Sequence, residues 1–142
     1  MPDTDTYNVG SGPTPIPLQV NLGSGATCHS AVFIKLKNGA KTRIRDSGPD
    51  DNGSITSFEL GNADALKGAE LTIQTIADAG ALPPSVVEQL AADHSLIKNL
   101  LFIGYVLSEG TDGTKTYTYT LDDCVISTNG KITVVTKHIS LL

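Results

Sequence analysis

The chain has 142 residues with 10 basic and 15 acidic side chains, a formal net charge of −5 at pH 7. That length supports one domain with its own core, without help from metals or disulfides. The acidic balance, and Phe and Tyr residues that do not interleave with the basic ones, argue against a nucleic-acid partner, and the apolar stretches are too short for a transmembrane segment. Charged residues make up 18% and Gly and Thr are plentiful, a β composition. No basic region followed by an apolar run opens the chain, so no signal peptide is visible and the expected location is the cytoplasm or, after leader removal, outside it.

Met1 to Pro17 carries Pro2, Pro13, Pro15 and Pro17 with Gly10 and Gly12, and reads as a flexible arm ahead of a single domain over 18–142. Leu18 to Leu22 alternates as a short strand, closed by the Gly23-Ser24-Gly25 loop. Half of the basic residues then follow in one segment: Lys35, Lys37, Lys41, Arg43 and Arg45. All have odd numbers, and Val32, Ile34, Leu36, Thr42 and Ile44 lie between and beside them. In a β-hairpin this gives one cationic face and one core face.

A two-residue Asn38-Gly39 turn would pair odd with even positions and scatter the cations. A three-residue loop, Lys37-Asn38-Gly39 with Gly39 left-handed, pairs Lys35 with Lys41, Phe33 with Arg43 and Leu36 with Ala40, and keeps the face intact. Like charges directly opposite each other call for an anion nearby. That anion is either a carboxylate of a neighbouring strand, Glu59 or Glu70, or an external partner: an acidic protein, another anionic ligand or an anionic surface.

Asp46 to Gly53 is dense in turn formers. Ile55 to Leu60 is the next strand, with Phe58 and Leu60 on one face. Gly61 to Gly68 connects it to a strand over Ala69 to Ile76, whose Leu71, Ile73 and Thr75 share a face. A helix interrupts the β pattern. Ser85 and Glu88 have capping-box spacing, Pro83 and Pro84 bar an earlier start, and Val86, Val87, Leu90 and Ala91 form an apolar stripe that ends between Ala92 and Ser95. Leu100 to Leu107 is almost wholly apolar, as in a strand covered on both faces. Lys115 to Leu121 alternates Tyr117, Tyr119 and Leu121 against threonines. Asn129-Gly130 then joins two strands in a register that sets Val125 opposite Val134, Cys124 opposite Val135 and Asp122 opposite Lys137. Both faces of this last hairpin carry apolar groups, so it is buried on two sides or one side meets a second copy of the chain, a homo-oligomer.

Seven to nine strands with one inserted helix indicate an all-β, antiparallel β-sandwich. The order of hydrophobic strand, basic hairpin, Asp-rich turn and two further strands resembles C2-type sandwiches over about half the chain. That resemblance implies basic strands able to touch anionic lipid. The calcium site of such domains needs clustered aspartates on two loops, and around Asp78 there is a single carboxylate.

Other chemistry is sparse. Asp46, Asp50 and Asp51, with Asn52, are hard-cation ligand types on one turn, a candidate calcium site that would support a lipid- or carbohydrate-binding sandwich, although an Asx-rich turn bonding its own backbone accounts for the same residues. Cys28, His29, Cys124 and His138 are zinc-ligand types without paired spacing. Cys28 and Cys124 fit a single disulfide or two buried thiols. Cys28 with His94 or His138 would be the nucleophile and base of a small cysteine-dependent enzyme. Ser95-Leu96-Ile97-Lys98 has Ser-x-x-Lys spacing but lacks its companion motifs. Sugar sites favour aromatic platforms, and Tyr117 and Tyr119 belong to a sheet face. The reading that results is a non-enzymatic binding or assembly module, with Lys35, Lys41, Arg43 and Arg45 as its contact residues and no required cofactor.

Overall fold

A computed structural model describes residues 5–48 and 52–142. Two β-sheets face each other. Strands β1 (Asp5–Tyr7), β2 (Pro15–Ser24), β3 (Thr27–Lys35), β4 (Lys41–Asp46), β5 (Ile55–Asn62), β6 (Glu70–Asp78), β7 (Leu101–Gly110), β8 (Gly113–Thr118), β9 (Cys124–Ile126) and β10 (Ile132–Leu141) are joined by hairpins and short helices. One sheet runs β1-β10-β6-β3-β4 with β9 also on β10, and the other runs β5-β2-β7-β8. Neighbouring strands are antiparallel except β1, which lies parallel to β10. The fold is an all-β sandwich.

Period-two alternation builds the core. Val32 and Ile34 of β3, Leu71 and Ile73 of β6, and Val135, Ile139 and Leu141 of β10 point inward. They meet Ile16, Leu18 and Val20 of β2 and Ile103, Tyr105 and Leu107 of β7. The buried Ser30 and Thr75 hydroxyls satisfy each other at 2.8 Å. Helix α1 (Ala63–Leu66) buries Ala63 and Leu66 beside β5, and α2 (Pro84–Ala92) buries Val87 and Leu90.

Several expectations change on contact with the fold. Asp5–Tyr7 of the expected arm is a strand, and Tyr7, Val9 and Ile16 are buried, because the edge of β10 offers unpaired backbone groups that the arm satisfies. Helix α2 starts at Pro84 with Pro83 as its cap and no side-chain capping bond, so Ser85 falls inside the first turn rather than at the cap. The chain then continues through a 3-10 turn, His94–Leu96, into α3 (Ile97–Leu100). Strand β7 is covered on its inner face only, leaving Phe102 62% exposed. Leu121 leaves the sheet for a 3-10 turn, Leu121–Asp123. The β9–β10 register is the expected one, Val125 opposite Val134 and Cys124 opposite Val135. Asp122, however, lies outside that ladder, and Lys137 turns instead to Asp5 and Asp123.

Candidate functional site: the basic edge ribbon

Strand β4, Lys-Thr-Arg-Ile-Arg-Asp, is the outermost strand of its sheet, and all of its residues are exposed. Its register against β3 is Lys35 opposite Lys41, Ile34 opposite Thr42 and Phe33 opposite Arg43. The Gly39 amide donates to the Leu36 carbonyl at 2.9 Å, which closes the connection as a turn. Gly39 is not in the left-handed region, contrary to expectation. A turn that starts at Leu36 reaches the same register without it.

Past Arg43 the register slips. Val32 lies opposite Arg45, so β4 carries an extra residue, a bulge at Ile44 that turns Arg45 onto the inner face. The Arg45 guanidinium stacks over Phe58 of β5, 4.5 Å from the ring centroid. Ile44 remains 36% exposed instead of joining the core. The single cationic face is therefore divided. Lys35, Lys41 and Arg43 share the outer face, Arg45 bridges the two sheets, and the Lys37 stem packs beside Gly68.

Phe33 lies among the outer cations, with the Lys41 ammonium 5.3 Å from its ring centroid. Asp46, also outward, sits 3.4 Å from Arg43 Nη1 and 3.9 Å from His29 Nε2. Glu70 lies opposite Lys35 in the β3–β6 ladder. Among the described residues, neither Lys35 nor Lys41 has a carboxylate oxygen within 4.0 Å. Glu59 belongs to β5 of the other sheet, opposite Pro17.

The remaining candidates are dispersed. Asp46 is engaged with Arg43 and His29, while Asp50 and Asp51 lie outside the described residues. Asn52 uses its side-chain oxygen to accept from the Cys28 amide at 2.8 Å. No group of three His, Cys, Asp or Glu side chains that could hold a metal is found among the described residues. Cys28 and Cys124 are both free thiols. Burial pushes the Cys28 thiol above its ordinary value, and burial with the Asp123 charge pushes Cys124 up to about 11, so both resist forming the reactive thiolate. His29 and His138 hydrogen-bond to the Ser47 and Thr72 hydroxyls.

No known family, curated protein or solved structure matches the chain. No helix among the described residues is long and apolar enough to cross a membrane.

One charged cluster is missing from the sequence reading. Lys137, 3% exposed, points into the sandwich from β10. Its Nζ is 2.5 Å from Asp5 Oδ2 and 4.0 Å from Asp123 Oδ2. Asp123 is held in turn by the Thr120 amide at 2.9 Å. The alternation of β10 carried the signal, since Lys137 occupies the same phase as Val135 and Ile139.

Proposed function

We propose that the protein is a non-enzymatic binding or assembly module that takes up an extended acidic segment of a partner protein along β4. The observation behind this reading is the pair Lys35 and Lys41, opposed on an open edge beside Arg43 with no carboxylate within ion-pair distance of either lysine among the described residues. An added strand would meet the free backbone groups of β4, and its carboxylates would relieve the like-charge contact. Lysines on an edge also discourage indiscriminate strand pairing, so the same residues favour acidic partners over other strands.

A fluorescent peptide of alternating Glu and Thr serves as the probe, read by anisotropy. Binding that weakens with salt, and is lost in Lys41→Glu/Arg43→Glu with the melting temperature kept, supports the reading. Equal binding by the variant overturns it. A large loss of stability also overturns it, because the cations would then belong to an internal network.

A second copy of the chain is the other partner the fold suggests, at a surface separate from β4. Val125 is 73% exposed and, with Val134 and Ile76, makes an apolar row across the outer face of the first sheet. Sedimentation velocity over a concentration series, with Val125→Glu as control, tests self-association there.

A further inference from the structure

We infer that Lys137 and Asp5 condense into an intramolecular isopeptide bond that ties the first described strand to the last, with Asp123 carrying the protons. The two side chains already stand in reacting contact, since Lys137 Nζ is 2.5 Å from Asp5 Oδ2 and the carboxyl carbon is one bond further on. They project from adjacent parallel strands, Asp5 opposite Ile139, so the backbone holds them in register. Fixing two reactants in this way replaces the entropy cost of bringing an amine and an acid together, an effective concentration on the order of 10⁵ M or more.

The surroundings favour the neutral product. The Lys137 side chain is 4% exposed and that of Asp123 5%. Tyr105 and Tyr117 lie within electrostatic reach of Asp123 and Asp5. Tyr7 and Tyr105 are fully buried, and the Tyr117 hydroxyl donates to the Thr6 carbonyl beside Asp5 at 2.7 Å. Among the described residues the Tyr105 hydroxyl has no hydrogen-bond partner, and it feels the Asp123 charge. A buried ammonium costs desolvation energy that its partners only partly return, and converting the ammonium and the carboxylate to an amide removes both charges. The Asp5 carboxylate is 44% exposed, which leaves the departing water a way out.

The step balances. Asp123 takes a proton from the Lys137 ammonium, and the freed lone pair attacks the Asp5 carboxyl carbon to form the C–N bond. That proton and a second one from nitrogen pass to the Asp5 oxygen that leaves, and the C–O bond breaks. Ammonium and carboxylate become amide and one water, with Asp123 regenerated. No oxidant, reductant or co-reactant takes part.

Intact mass spectrometry of the full chain decides the matter. The folded protein is expected to weigh one water less than its sequence, and a digest should contain one fragment joining the peptides of Asp5 and Lys137. Lys137→Arg should keep the full mass, and Asp5→Asn should lose ammonia instead of water. Asp123→Asn, with its circular dichroism unchanged, should form the bond far more slowly. Full sequence mass in natively folded protein after prolonged incubation at neutral pH overturns the inference. A water lost at Asp112-Gly113 as a succinimide, or a link from Lys137 to Asp123, does the same, and unchanged kinetics in Asp123→Asn removes the proton-carrying role.

Discussion

The Arg45 guanidinium lies over the Phe58 ring at 4.5 Å and so joins β4, the edge of one sheet, to β5, the edge of the other. Arg45 is therefore part of the seam, whereas Lys35, Lys41 and Arg43 face solvent. Arg45→Ala and Phe58→Leu should each destabilise the fold, with a coupling energy of about 0.5–1 kcal/mol in a double-mutant cycle followed by urea unfolding. Arg45→Ala should leave acidic-peptide binding almost unchanged. If it lost binding as completely as Lys41→Glu/Arg43→Glu, the division of labour along β4 would be wrong.

The pairing of both hairpins was legible because each is fixed by alternation plus one short turn, as with Lys35 against Lys41 and Val125 against Val134. The bulge at Ile44 was not. It carries no Gly or Asn, and it arises because Arg45 gains an aromatic face across the sandwich, a contact between residues far apart in sequence. The same reason hid β1, whose proline- and glycine-rich surroundings look irregular until the edge of β10 is in place. Lys137 was read as the partner of Asp122, but its partners are Asp5 and Asp123, on the first strand and on a turn that leaves the sheet, and no local pattern links the three.

Gly110 tests how tightly that first strand is seated. A Cβ there would lie 2.5 Å from the Asn8 carbonyl oxygen and 2.5 Å from the Tyr7 ring, so Gly110→Ala must displace the segment after β1. Overpacking of this kind costs about 1–3 kcal/mol. Displacement also strips the Tyr7 hydroxyl of its bonds to the Gly113 carbonyl and the Gly110 amide. Amide exchange should speed up at Val9 and Leu142, which bond the two chain segments together. Protection unchanged at those two amides would show that the strand adapts.

Gly130 and Gly113 form a matched pair. Both are left-handed, at φ +74° and +70°. A Cβ on Gly113 meets open space, while one on Gly130 would come within 2.7 Å of the Val87 carbonyl oxygen and 2.9 Å of the Ala91 nitrogen, both on α2. Gly113→Ala should cost only the backbone preference, about 1–2 kcal/mol. Gly130→Ala should cost clearly more, because hairpin and helix must separate. Equal midpoints for the two variants in urea unfolding would mean that α2 is not held against the hairpin.

The tyrosines set the alkaline limit of stability. Burial, reinforced by the charges of Asp112 and Asp5, pushes the Tyr117 phenol up to about 12 from its ordinary value of 10.0. Burial is also the largest cause of the upward shifts at Tyr7, Tyr105 and Tyr119, and at Tyr7 the Gly110 amide works against it. As pH rises past the ordinary phenol value, the unfolded chain gives up protons that the folded chain keeps. The folded state then binds more protons, so stability is intact below that value and declines as pH climbs toward about 12. The urea midpoint should fall steadily over this window, and tyrosinate absorbance should appear together with unfolding rather than before it. Tyr117→Phe loses its bond to the Thr6 carbonyl and starts from a lower midpoint, yet its decline should be shallower. Tyrosinate forming in a chain that is still folded, or a slope that Tyr117→Phe leaves untouched, would show that these phenols are open to solvent.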